Sequence, residues 1–128
     1  MKCESKILKI KNMTNEKYTI YHNPRCSKSR EALGLLEEEG VEIEIIKYLQ
    51  DIPTEEQLLL LLSKLHLKPF DIVRKGEKLY KEEYKNLTLN DHEWIKVMME
   101  NPKLIERPIV VKGNKAIIGR PPSLVKEL

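Results

Sequence analysis

The feature that most constrains the fold is a strand–helix–strand pattern in the first half of the chain. Residues 18–22 are rich in β-branched and aromatic side chains, which favour a strand, and Asn23-Pro24 ends it. Residues 28–39 place their apolar side chains on one helical face. Residues 41–46 alternate apolar and acidic side chains at first, which is typical of a strand with one buried face. This pattern predicts a βαβ unit with a right-handed crossover and therefore an α/β fold.

A helical region follows the βαβ unit. Thr54 with Gln57, and Asn90 with Glu93, both form capping-box signatures in front of apolar runs. Shorter helices or turns are expected between these two helices. We find no convincing strand pattern between residues 53 and about 104, so we expect a mostly helical insertion in the sheet domain.

The last third of the chain predicts a return to the sheet. Residues 109–111 and 116–118 are apolar runs rich in β-branched side chains, and Gly113-Asn114 between them is a strong hairpin signal. Pro121 and the residues after it are expected to open a short final helix. We therefore predict one domain over residues 18–128.

Composition restricts the class of protein. The 128 residues are 41% hydrophobic and 34% charged, a balance typical of a globular domain. We find no apolar run near the roughly 18 residues of a membrane span and no secretory signal, so we expect a cytoplasmic protein with reduced cysteines.

The formal net charge is +3, and the five lysines and two glutamates of residues 1–17 account for it. We interpret that segment as a flexible extension, and we expect no nucleic-acid partner. Met13 could be the natural start, which would make Cys3 leader sequence.

Cys26 is the candidate nucleophile. It lies where the loop after the first strand meets the first helix, and a helix N-terminus favours the thiolate through its free N–H groups and dipole. Arg30 adds positive charge nearby, Ser29 offers a hydroxyl, and His22 could orient the thiol or assist proton movement. We therefore predict a thiol with a lowered pKa beside an anion-binding loop.

Spacing excludes several other sites. A cysteine phosphatase loop requires an arginine six residues after the nucleophile, and that residue is Ala32. A dithiol motif requires a second cysteine at position 29, which is Ser29, so a resolving thiol must come from elsewhere. The pattern does match monothiol glutaredoxins, so handling of glutathione stays open. The three histidines have no metal-ligand spacing, and no metal is expected.

Three further arginines are candidates for anion binding. Arg107 and Arg120 each precede a proline at an end of the predicted hairpin, and a residue before proline is held extended. A guanidinium presents a planar fork of donors that fits an oxyanion. Arg74 is not followed by a proline, and its neighbours in the sequence give no indication of anion binding.

Three motifs, in this order, resemble the glutaredoxin-coupled arsenate reductases. They are His22-Asn23-Pro24-x-Cys26-x-x-Ser29-Arg30, Arg107-Pro108-Ile109-Val110-Val111 and Gly119-Arg120-Pro121. The resemblance implies a thioredoxin-like fold and a cis peptide bond between Arg107 and Pro108. It also implies that Cys26 attacks arsenate, that Arg74, Arg107 and Arg120 hold the oxyanion, and that His22 and Ser29 tune the thiol.

The same resemblance implies the partners. Cys26 displaces a hydroxyl from arsenate, glutathione attacks the arsenic adduct, and glutaredoxin resolves the mixed disulfide as arsenite leaves. Glutathione is thus a co-substrate, and no bound cofactor is expected. Arg25 with Ser27-Lys28 resembles a shorter, chromosomal branch of the family. Two alternatives remain: a regulator of the same fold that binds RNA polymerase, against which Ser29 argues, and a glutathione-dependent thiol oxidoreductase with another substrate.

Overall fold

The computed structural model describes residues 17–128 and forms a four-stranded mixed sheet covered by helices on both faces. The predicted extension lies outside the described residues except for Lys17, as do Cys3 and Met13. The strands are β1 (Tyr18–Tyr21), β2 (Ile43–Ile46), β3 (Ile109–Lys112) and β4 (Lys115–Ile118). Their order in the sheet is β2-β1-β3-β4, with β2 parallel to β1 and the other neighbours antiparallel.

The three α-helices are α1 (Ser27–Glu38), α2 (Glu55–Leu65) and α3 (Asp91–Glu100). Short 3₁₀ helices cover Pro69–Ile72, Pro102–Leu104 and Pro122–Glu127, and a π-helical turn covers Tyr80–Tyr84. Both predicted capping boxes are present, at Thr54 and at Asn90. Within residues 17–128, no helix combines the length and apolar character needed to cross a bilayer.

Alternation along the central strands divides the core into two layers. Ile20 and Val110 pack with Ala32 and Leu36 of α1 on one face of the sheet. Ile109 and Val111 point to the other face, where α2, α3 and the segments between them form the larger cluster. Successive side chains of a strand point to opposite faces, so the apolar run of β3 serves both layers.

One sequence prediction needs correction in detail. The second strand is buried less than its alternation predicts: Ile43 packs against the α1 layer but, like Ile46, is only half-buried, and Ile45 is 45% exposed. The reason is its place at the edge of the sheet, where it pairs with β1 alone. The predicted short final helix is present as the 3₁₀ helix Pro122–Glu127. The hairpin is confirmed, with Gly113 at φ 59° in its two-residue turn.

Candidate functional site

Cys26 lies at the end of the turn that joins β1 to α1, where it is the N-cap residue of the helix. Asn23 builds this turn: its carbonyl oxygen accepts from the Cys26 N–H at 3.0 Å, and its side-chain Oδ1 accepts from the Arg25 N–H at 3.0 Å. The Cys26 residue is 9% exposed. The turn thus places the sulfur beside the free N–H groups of the first helical turn.

The environment of Cys26 favours the thiolate. Burial raises the pKa of the thiol, but hydrogen bonds from the Ser29 N–H and the Arg107 side chain, the charge of Arg107, and the Lys28 N–H together outweigh burial. The net result is a pKa below the usual range for cysteine. Thiolate is the nucleophilic form of cysteine, so the surroundings of Cys26 favour its nucleophilic state.

Ser29 and His22 form a buried pair beside the thiol. The Ser29 Oγ and His22 Nδ1 are 2.6 Å apart, and the same Oγ accepts from the Asn23 N–H at 3.1 Å. Burial lowers the pKa of His22, and the charges of Lys47 and Arg30 lower it further. The imidazole is therefore neutral at pH 7. Ser29 reaches the thiol through its backbone N–H, while its hydroxyl is used to hold His22.

The two Arg-Pro pairs meet at one end of the hairpin. Both peptide bonds, Arg107-Pro108 and Arg120-Pro121, are cis. The resemblance implied the first, and the second was not predicted. The Gly119 N–H donates to the Pro108 carbonyl oxygen at 2.8 Å, and Arg120 Nη1 donates to the Arg107 carbonyl oxygen at 3.1 Å. The side chain of Arg107 points to Cys26, whereas Arg120 is exposed.

Arg74 is held by carboxylates. Its Nη1 donates to Glu106 Oε1 at 3.2 Å, and its Nε lies 3.7 Å from Glu77 Oε2. An isolated β-bridge between Val73 and Ile105 brings the two segments together. Arg74 thus lies at the same end of the sheet as the thiol, with two carboxylates around its guanidinium.

Arg30 does not point its guanidinium at the thiol. Its Nη1 donates to the Pro24 carbonyl oxygen at 2.9 Å, which braces the turn before Cys26. Its charge acts on the imidazole of His22, whose pKa it lowers. Arg25 is exposed. The thiolate is therefore favoured mainly by backbone N–H groups and Arg107 rather than by the arginines next to it in sequence.

Two residues of this region were missed by the sequence reasoning. Tyr48 is 1% exposed, and its hydroxyl lies within range of the charges of Arg107, Arg74 and Cys26. Glu106 accepts from Arg74 and, at 3.3 Å, from the Arg107 N–H. One sequence signal could have identified Tyr48. The carboxyl ends of parallel strands meet at the same edge of a sheet, and Tyr48 follows β2 by two residues, while Cys26 lies in the turn after β1.

A groove of about 700 Å³ lies between α2 and α3, and Cys26 does not line it. Leucine, histidine and acidic side chains line it, among them Leu59, His66 and Asp91. It contains neither a thiol nor an arginine. We therefore place the candidate site at Cys26.

A thioredoxin-like fold with one cysteine at a helix N-terminus, faced by a guanidinium, defines a protein of the single-thiol thioredoxin-like class. Comparison with known proteins is consistent with this class. The ArsC family model matches residues 21–128, and the chain belongs to the ArsC family.

Individual relatives span almost the whole described chain. The arsenate reductase of Haemophilus influenzae is 45% identical over 111 residues, which are 85% of this chain and 96% of that protein. The uncharacterized protein YfgD of Escherichia coli K12 is 49% identical over 113 residues, or 85% and 93% of the two chains. The solved structure of an arsenate reductase from Vibrio cholerae superposes with a TM-score of 0.83 at 46% identity, covering 88% of this chain and 97% of that one.

Proposed function

We propose that this protein reduces arsenate to arsenite, with Cys26 as the nucleophile and with glutathione and glutaredoxin as electron donors. The observation that carries the proposal is the Cys26 thiol, whose pKa is lowered by helix N–H groups and by Arg107 in a chain of the ArsC family. The names of relatives such as the Haemophilus influenzae arsenate reductase support the substrate.

The chemistry starts with the Cys26 thiolate. The sulfur forms a bond to arsenic and a hydroxyl leaves as water once it is protonated. Glutathione then displaces a second hydroxyl, so that arsenic carries two sulfur atoms. Arg107 lies beside the sulfur, where its guanidinium can share the charge of the bound oxygens.

Reduction requires two electrons, and both come from thiols. A glutaredoxin thiolate attacks the sulfur of the bound glutathione, which forms a mixed disulfide and leaves the electron pair of the broken sulfur–arsenic bond on arsenic. Water then releases arsenite and regenerates Cys26. Overall, arsenate and two thiols give arsenite, one disulfide and one water. Within residues 17–128 the sequence has no other cysteine, which is consistent with a disulfide formed outside this chain.

The test is arsenite production from arsenate with glutathione, glutaredoxin, glutathione reductase and NADPH. The full chain should turn over, and Cys26→Ser should not. Ser27→Ala is the matched control, since Ser27 is the exposed neighbour of the thiol and should leave the rate unchanged. Absence of arsenite with the full chain would refute the activity. Undiminished turnover when glutathione and glutaredoxin are replaced by thioredoxin would refute the proposed donors alone.

A further inference from the structure

Tyr48 lies at the end of the sheet that carries the thiol. It follows β2 by two residues, and the last residue of β2, Ile46, accepts from the His22 N–H at 2.8 Å just before the turn to Cys26. The ring is packed into the larger core cluster with Ile72 and Ile109. Tyr48 is therefore rigidly held, with its hydroxyl near the site.

The hydroxyl of Tyr48 has no hydrogen-bond partner. Within the described residues, three buried side-chain atoms share this property: Tyr48 Oη, Arg74 Nε and Arg107 Nε. Leaving a buried donor unpaired is costly, so native proteins contain few such groups. The charges of Arg74, Arg107 and Cys26 all act on the Tyr48 hydroxyl, so these groups lie in one region of the molecule.

Arg74 Nε lies 3.7 Å from a Glu77 carboxylate oxygen, so the groups without any partner are the Tyr48 hydroxyl and Arg107 Nε, and both are donors. A ligand that satisfies them must therefore supply acceptor atoms, and several at once, as the oxygens of a tetrahedral oxyanion do. Burial raises the pKa of Tyr48 to about 12, against the opposing charges of Arg107 and Arg74. The phenol consequently keeps its proton at neutral pH and remains a donor.

We propose that Tyr48 is a substrate-binding residue whose hydroxyl donates a hydrogen bond to an oxygen of the oxyanion held between Cys26 and Arg107. The oxyanion is arsenate if the proposed function holds, and the inference rests on that function for its substrate. The hydroxyl is buried, and an oxygen of the anion would reach it past the half-buried side chain of Arg107. The bond strengthens as negative charge builds up on that oxygen during attack by sulfur.

The first experiment compares Tyr48→Phe with the native chain. We expect kcat/KM for arsenate to fall about 10- to 100-fold, the size expected for a lost hydrogen bond to a charged group. Since the hydroxyl has no partner without ligand, the urea midpoint of unfolding should stay the same or rise. Tyr80→Phe is the control, because Tyr80 is another buried tyrosine that packs against Phe70 and Trp94. It should leave kcat/KM unchanged.

The second experiment measures binding without turnover. In a Cys3→Ser background, sodium arsenate without glutathione should slow alkylation of Cys26 by iodoacetamide, and Tyr48→Phe should need at least 10-fold more arsenate for equal protection. Each variant is compared with its own rate without the anion. The same protection of native chain and Tyr48→Phe would overturn the role of Tyr48, whatever the turnover. Protection that depends on Tyr48 without arsenite production would refute the proposed function and leave the binding role standing.

Discussion

Arg120 donates a hydrogen bond from Nη1 to the carbonyl oxygen of Arg107, over 3.1 Å. The pairing of Ile109 with Ile118 in the hairpin brings the two arginines together, although they are 13 positions apart in the chain. Because the guanidinium of Arg107 lowers the pKa of Cys26, Arg120 is linked to the surroundings of the thiol through one carbonyl group. An arginine at the surface thereby braces the backbone of the residue whose guanidinium acts on the sulfur.

Replacing Arg107 should raise the pKa of Cys26. Methionine removes both the hydrogen bond and the charge, whereas lysine keeps the charge and loses the planar fork. Alkylation of Cys26 against pH, in a Cys3→Ser background, should give the lowest midpoint for the native chain and the highest for Arg107→Met. Arg107→Lys should lie between them and lose about 10-fold or more of its turnover. Equal midpoints in all three proteins would mean that Arg107 does not act on the thiolate.

Ionisation of Cys26 should appear in the pH dependence of stability. The pKa of Cys26 in the folded protein lies below its ordinary value of 9.0, so folding favours the thiolate. The stabilisation is full above 9.0 and is lost as the pH falls through the folded pKa. The difference in unfolding free energy between the native chain and Cys26→Ser should therefore grow in favour of the native chain as pH rises toward 9. Urea unfolding at a series of pH values measures it, and a difference that shrinks over this range would contradict the prediction.

Ser29→Ala should lower the stability of the fold and leave the pKa of Cys26 almost unchanged. The hydroxyl contacts both His22 and the Asn23 N–H in a fully buried position, and its loss should cost about 1–3 kcal/mol. Alanine keeps the backbone N–H that bonds to Cys26, so the pH midpoint of alkylation should hardly change. Urea unfolding and alkylation measure the two effects, with exposed Ser27→Ala as control. A stable variant with a strongly raised midpoint would show that the hydroxyl itself acts on the sulfur.

Two glycines should respond in opposite directions to alanine. A Cβ at Gly119 would lie 3.1 Å from Pro108 Cγ and 3.2 Å from Val125 Cγ1, so Gly119→Ala should destabilise the fold by about 1–3 kcal/mol. Gly34 lies in α1 with no neighbour within 4 Å of such a Cβ, and alanine there should stabilise by up to about 1 kcal/mol. The midpoint temperature of thermal unfolding of each variant tests these two predictions. Equal changes in midpoint for Gly119→Ala and Gly34→Ala would rule out the crowding at Gly119.

Local patterns were sufficient to predict most of the fold. The capping boxes at Thr54 and Asn90, the Gly113-Asn114 turn and the position of Cys26 before a helix are all set by residues within four positions of one another. Each of these patterns corresponds to a hydrogen bond or a backbone dihedral angle that depends only on residues close in sequence. The weak burial of β2 could not be predicted from local patterns, because alternation of apolar and polar side chains does not show which strand lies at the edge of the sheet.

The site was less predictable, since its contacts join distant segments. The hydroxyl of Tyr48 is surrounded by groups from Arg74 and Arg107, which no local pattern connects. For the same reason, the engagement of Arg74 by Glu106 could not be foreseen across 32 positions. Arg30 follows Cys26 by four residues, yet its guanidinium donates a hydrogen bond to the Pro24 carbonyl oxygen and not to the thiol. The assigned roles of these arginines in holding the oxyanion stay predictions.

The order of the strands has a consequence for amide hydrogen exchange. β1 and β3 are hydrogen-bonded on both sides, whereas β2 and β4 are edges, so exchange should be slowest in the two central strands. Cys26 follows β1 and Arg107 precedes β3, and this pair therefore belongs to the part of the sheet that opens least often. Tyr48 and Arg120 follow the edge strands. A brief fraying of β4 would withdraw the exposed Arg120, whereas Tyr48, packed in the core, would stay with the sulfur and its guanidinium.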